Sequence, residues 1–246
     1  MQMTGNTILI TGGASGIGLA LARRFAARGN TVIVCGRRAD KLAEAASAVA
    51  GLKTVRCDVS CQSERVELAR SVTRDYPGLN VLINNAGIQN RPSSLLDPQD
   101  FSSHRAEIAT NLEAPMHLAM LLLPHLAKKP IATIVNVTSG LAFVPLASMP
   151  TYCATKAALH SFTESLRHQL AATSVKVVEL APPAVDTDLG GPGLHTFGEP
   201  LDAFANHAFA MLERGNAEFG YKFAEVARTA SAEARAQIFA RMNAAH

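Results

Sequence analysis

The chain has 246 residues, 48% of them apolar and 17% charged. That length suits one α/β domain, and that composition supplies a large core and excludes overall disorder. The formal net charge is only +3 without a run of like charges, and tryptophan is absent, so neither a nucleic-acid partner nor an anionic membrane surface is expected.

The N-terminus enters a short apolar run at Thr7 without a basic segment or a small-residue cleavage site, so it does not read as a leader. The longest apolar stretch, Leu118 to Leu126, is interrupted by Pro124 and His125 and is too short to span a bilayer. A cytoplasmic protein is expected. Cys35, Cys57, Cys61 and Cys153 read as free thiols, because Cys57 and Cys61 have no second pair and no nearby histidine. The eight histidines are scattered and form no H-E-x-x-H pattern, so no metal is expected.

Six short runs rich in Val, Ile and Leu read as buried strands, and longer amphipathic stretches between them read as helices. Strand Thr7–Ile10 meets a glycine-rich turn, Thr11 to Gly18, and a helix over 17–28 with Leu19, Ala22 and Ala26 on one face. Strand Thr31–Cys35 leads through Gly36-Arg37-Arg38 to a helix over 39–50. Strand Thr54–Cys57 precedes a helix over 62–75, and strand Asn80–Ile83 a helix over 100–127. On that last helix Met116, Met120, Leu121 and Leu122 read as core or as a dimer surface. Strand Thr133–Val137 is followed by Ser139, a helix over 151–172 and strand Val175–Leu180. Glycines and prolines then break regular structure. Segment 188–215 reads as a substrate lid hinged at Gly190-Gly191-Pro192-Gly193, with Phe197, Phe204 and Phe209 available to cover an apolar ligand. The tail from Ala224 to Asn243 reads as a helix, and no clear seventh strand is visible. The alternation implies one domain over 1–246: a doubly wound, Rossmann-type parallel sheet of six or seven strands with helices on both faces.

Two places in this pattern carry chemistry. Gly12, Ser15, Gly16, Ile17 and Gly18 lie between the first strand and its helix, where glycines let the backbone approach a pyrophosphate and the helix start offers free N–H groups. At the end of the second strand no carboxylate is available for the ribose hydroxyls. Arg37, with Arg38 and Ser15 beside it, can instead pair with a 2′-phosphate, so NADP is expected, with NAD as the alternative. The second place joins Tyr152, Lys156 and Ser139. A tyrosine and a lysine four apart share a helix face, and a serine just past a strand's carboxyl end meets them at the crevice. The phenol can exchange a proton with a carbonyl or alcohol oxygen, a nearby ammonium lowers its pKa, and the serine hydroxyl can hold that oxygen.

With Asp58, Asn84-Asn85-Ala86-Gly87 and Asn111, these motifs give a chain that resembles the short-chain dehydrogenase/reductase family from about residue 5 to 190. The wording of Gly5–Gly13, Asn85–Gln89 and Ala181–Thr187 is similar to its DltE-type branch. The resemblance implies an oxidoreductase that moves a hydride between NADP(H) and a small carbonyl or secondary alcohol. It implies that Asp58 and Val59 meet the adenine, and that Asn84, Asn85, Ala86 and Gly87 line the adenosine-side ribose. Asn111 would hold a water that links Lys156 to solvent. Lys156 would bond the nicotinamide ribose, and Val185 and Thr187, after Pro182, would meet the carboxamide, with hydride leaving the pro-S face. Two departures stand out. The family's Pro-Gly is Pro182-Pro183 here, and its seventh strand is not visible, which favours a homodimer over a tetramer. A regulatory protein that binds the cofactor without turnover, and an epimerase or dehydratase of an extended relative, are the competing readings. Ser139, Tyr152, Lys156 and Asn111 are all present, which disfavours the first, and the short chain after the sixth strand disfavours the second.

Overall fold

In the computed structural model, which describes residues 1–90 and 101–244, β1 (Thr7–Thr11) sends Ile8 and Ile10 into one apolar cluster and Leu9 into another. The next strand, β2 (Thr31–Gly36), repeats the split, with Val32 and Val34 on one face and Ile33 and Cys35 on the other. Successive side chains of a strand point to opposite faces, so strands that are apolar on both faces must be covered on both.

The chain runs β1, α1 (Gly16–Ala27), β2, α2 (Ala39–Ala48), β3 (Lys53–Arg56), α3 (Gln62–Asp75) and β4 (Leu79–Asn84). It continues through α4 (Ser102–Ile108), a π turn (Ala109–Glu113), α5 (Ala114–Leu126), β5 (Ala132–Val137) and α6 (Pro150–Gln169). The last elements are β6 (Val175–Ala181), α7 (Leu201–Arg214), β7 (Glu218–Gly220), α8 (Phe223–Thr229) and α9 (Ala232–Met242). Leu21, Phe25, Leu42, Phe204 and Phe209 bring α1, α2 and α7 to the first face. Leu68, Leu118, Leu122 and Leu166 bring α3, α5 and α6 to the second. The sheet has seven parallel strands in the order β3-β2-β1-β4-β5-β6-β7. Winding reverses between β1 and β4, so the connections leaving those strands part and open a crevice at their carboxyl ends.

Three expectations need correction. A seventh strand is present: β7 has three residues and pairs in parallel with the end of β6. It was too short to show a period in the sequence, and the preference for a dimer that rested on its absence goes with it. The tail is two helices, because Ala230 is extended and Ser231 restarts the chain by accepting from the Ala234 amide at 3.2 Å. The helix expected over 100–127 runs continuously from 102 to 126 but widens into a π turn at 109–113, and its residue 100 lies outside the described residues, as does His246. No helix among the described residues is long and apolar enough to cross a membrane.

Candidate active site

The glycine turn is shaped by what a side chain would strike. Gly12 has φ +63°, and a Cβ there would lie 2.8 Å from the Cα of Ala86. The loops after β1 and β4 therefore touch, backbone against backbone. Asn85 fastens them: its side-chain amide donates to Thr11 O at 2.9 Å and to Gly12 O at 3.2 Å. The Thr11 hydroxyl accepts from the amides of Asn85 and Ala86, each at 3.0 Å. A Gly12→Ala variant should lose about 2 kcal/mol of stability from the clash and the left-handed backbone together. Urea denaturation measures this, and an unchanged midpoint would show that the two loops can separate at no cost.

One cleft of about 1000 Å³ runs from this turn along the carboxyl ends of the strands. Of the residues selected from sequence, it is lined by Gly12, Ser15, Gly16, Ile17, Arg37, Arg38, Asp58, Val59, Asn85, Ala86, Gly87, Ser139, Tyr152, Lys156, Pro182, Val185 and Thr187. Two do not line it. Gly18 lies beneath the turn, where a Cβ would meet Asn85 Nδ2 at 2.5 Å and Gly12 O at 2.6 Å. Asn111 sits behind the wall, its side chain holding Ile88 by both backbone groups at 2.9 and 2.8 Å.

At one end of the cleft, Arg38 Nη2 donates to the Ser15 hydroxyl at 3.2 Å. Burial pushes the Asp58 carboxyl up, but two hydrogen bonds from Ser60 and the cations of Arg37 and Arg56 outweigh it, holding it below the usual aspartate value. The backbone here is buttressed by Arg65 of α3, which is 1% exposed and donates to Val59 O at 2.7 Å while pairing with Glu113. Arg65 falls on the apolar stripe with Leu68, Ala69 and Val72. A cation at a core position of a helix was the readable signal for it.

At the other end, Pro150 opens α6 and the following turn presents Tyr152 and Lys156. The Ser139 hydroxyl accepts from the Leu141 amide at 3.1 Å, which fixes it past β5, and it interacts with the Tyr152 phenol. Lys156 Nζ stands 5.7 Å from the Tyr152 ring centre and donates to Val137 O at 2.9 Å. Burial pushes the phenol above its ordinary value and brings Lys156 down to about 8. Desolvation disfavours the charged form of each group, and the influence that lowers the phenol is the hydrogen bond with Ser139.

The chain matches the short chain dehydrogenase family model over residues 6–194. It is 46% identical to the uncharacterized oxidoreductase DltE of Bacillus subtilis (strain 168), over 99% of this chain and 98% of that one. The chain belongs to the short-chain dehydrogenase family. Among solved structures, this dehydrogenase is similar to a short-chain dehydrogenase from Burkholderia cenocepacia J2315 in complex with NADP. That match has TM-score 0.84 and 26% identity over 98% of this chain and 99% of that one. A short-chain dehydrogenase from Sphingobium yanoikuyae in complex with NADPH matches at TM-score 0.82 and 25% identity, over 98% of each chain.

Two further features of this dehydrogenase surround the cleft. Loop 188–198 overlooks it with Leu189, His195 and Phe197, and is closed at its base where Asp186 N donates to Glu199 O and Glu199 N to Ala184 O, at 2.9 and 2.8 Å. Beyond that loop Leu201 still lines the cleft, but Phe204 and Phe209 lie on the buried face of α7 in the core, with Phe209 5.0 Å from Phe25. Their helical spacing shows that they share a face but not what that face covers. Pro183 is accommodated because the contact to the neighbouring strand end uses a carbonyl, Pro182 O accepting from Gly140 N at 2.8 Å. Away from the cleft, His160, Glu179 and Glu218 come together, yet their donor atoms are already engaged. Glu179 accepts from Thr138 and pairs with His160, while Glu218 pairs with Arg167 and Arg228.

Proposed function

We propose that the protein is an NADP-preferring reductase that converts a small carbonyl compound to its alcohol, with Tyr152 as the proton donor. One observation carries this reading. A single cleft has, at one end, two arginines and a turn whose Gly12, Gly13 and Gly18 leave no room for a Cβ, and at the other a buried phenol beside a serine and a lysine.

The backbone of Gly12, Ser15, Gly16 and Ile17 would hold a pyrophosphate against the start of α1, where free amides favour an anion. Gly18 would allow the close packing that this approach needs. Arg37 and Arg38 would pair with a 2′-phosphate, Asp58 and Val59 would meet the adenine, and Asn85, Ala86 and Gly87 would border the ribose. Lys156 would bond the second ribose, and Pro182, Val185 and Thr187 would orient the carboxamide. Bound NADPH would supply the hydride that adds to the carbonyl carbon. The Ser139 hydroxyl orients the substrate oxygen, and the Tyr152 phenol gives that oxygen its proton. Burial keeps the phenol protonated at neutral pH, the state that a proton donor needs.

Refilling the phenol needs a path to solvent. Asn111 was expected to hold a relay water, but its side chain is engaged by Ile88, so that role falls to its main-chain carbonyl. Pro115 lacks the N–H that an α-helix would offer this carbonyl, and the ladder widens into the π turn there.

The test is NADPH oxidation against a panel of aldehydes and ketones. Turnover is expected, with kcat/KM falling as pH rises through about 8, where Lys156 loses its proton. NADPH binding without turnover on any member of a broad panel would favour the regulatory reading instead.

A further inference from the structure

One buried acid next to this machinery has no part in the scheme above. Glu107 of α4 is 1% exposed. Its Oε1 accepts from the Asn90 amide at 2.9 Å, while Asn111, four residues on, holds Ile88. The two side chains together grip the segment that leaves β4. The same face of α4 and the π turn packs on α6. His104 bonds the Thr151 hydroxyl at 2.7 Å, and Asn111 donates to the Thr155 hydroxyl at 3.3 Å. Residues 104, 107 and 111 follow one helical stripe. Glu107 therefore lies between two fastened points and faces α6 across the interval that holds Tyr152, one residue short of Lys156. A Cβ on Gly87 would be 3.5 Å from Asn111 Oδ1 and 3.8 Å from Lys156 Nζ, so the grip and the ammonium share one wall.

We propose that Glu107 is a positioning residue whose buried negative charge keeps the Lys156 ammonium protonated in the working pH range. The inference rests on the reading of Tyr152 and Lys156 as a working pair. Lys156 is only 4% exposed and its hydrogen bond goes to a neutral carbonyl, Val137 O. Left to burial alone, it would shed its proton at a lower pH. Among the described residues, the titratable groups that act on one another in this pocket are Glu107 and His104 on α4, and Tyr152, Cys153 and Lys156 on α6. Burial pushes Glu107 up, and the Asn90 amide, His104 and Lys156 pull it back. Burial lowers Lys156, and Glu107 is the group that opposes this. Burial likewise raises Tyr152 and Cys153, and Glu107 adds to both. An anion that raises every neighbour holds protons on the pair, as proton donation requires.

The test reads the Lys156 titration directly and through the rate. In protein enriched with ¹³C at lysine Cε, one resonance should titrate near 8 and disappear in Lys156→Arg. Glu107→Gln keeps an acceptor for Asn90 but removes the charge. It should move that titration, and the falling limb of kcat/KM for NADPH-dependent reduction, down by about one pH unit, with NADPH affinity within about twofold. Glu107→Asp withdraws the charge by one methylene and should give a smaller shift of the same sign, readable even if the glutamine variant does not fold. Unmoved titrations in both variants would leave Glu107 as a tether for Asn90 and overturn the proposal. A shifted lysine titration in a protein that oxidises NADPH with no carbonyl would instead sink the functional reading and keep the electrostatic one.

Discussion

Tyr152→Phe should lower reductive turnover by about 10³-fold, within the range that a positioned proton donor contributes, and leave NADPH affinity within about twofold. The ring keeps its buried place against Met149 and Cys153, so the substitution removes one oxygen and little packing. The hydroxyl is the group that Ser139 addresses, and burial keeps its proton in place at pH 7. Water is a poor replacement, because Tyr152 is 6% exposed. Stopped-flow absorbance at the nicotinamide band, with a fluorescence titration of NADPH alongside, separates the two quantities. Turnover retained within tenfold would remove Tyr152 from the chemistry. Equal loss of NADPH binding would mean that the ring supports the fold of the site.

Arg37→Ala should weaken NADPH by about 10- to 100-fold, equivalent to one charge-assisted hydrogen bond to a phosphate, and change NADH by less than about threefold. Both arginines line the cleft after β2, but they are not equivalent. Arg38 reaches across to Ser15, whereas Arg37 faces Asp58 and helps to keep that carboxyl ionised. A 2′-phosphate between them would draw on both, so Arg38→Ala should show the same preference at smaller size. Isothermal titration with the two cofactors reads the ratio directly. An equal loss for NADPH and NADH would show that Arg37 shapes the loop and does not discriminate between them.

The sheet was legible because its signal is local. Each of the five central strands is a short Val/Ile/Leu run that ends at Gly, Asn, Pro or Ser, and both faces need cover, so periodicity and punctuation agree within two residues of the observed bounds, whereas β3, expected to be buried, is an edge strand with Lys53, Thr54 and Arg56 exposed. β7 was not legible, since Glu218–Gly220 has no period of its own and is a strand only because the end of β6 offers it a partner. The cleft's polar ends were legible for a related reason. A glycine that permits a left-handed turn, an arginine where an acid would repel phosphate, and a tyrosine and lysine one helical turn apart are each fixed by chemistry within a few residues.

What the chain order determined alone is therefore the architecture and the parts of the site, because backbone sterics, side-chain period and functional-group type act over one turn or one strand. Tertiary structure decided the rest. Enclosure makes Tyr152 harder to ionise although a lysine stands near it. Packing sends Phe204 and Phe209 into the core and leaves loop 188–198 over the cleft. The crossing of α4 over α6 brings Glu107 against a pair some fifty residues away in sequence. Desolvation and long-range fields depend on what surrounds a group from every side, and a sequence lists only the neighbours along the chain.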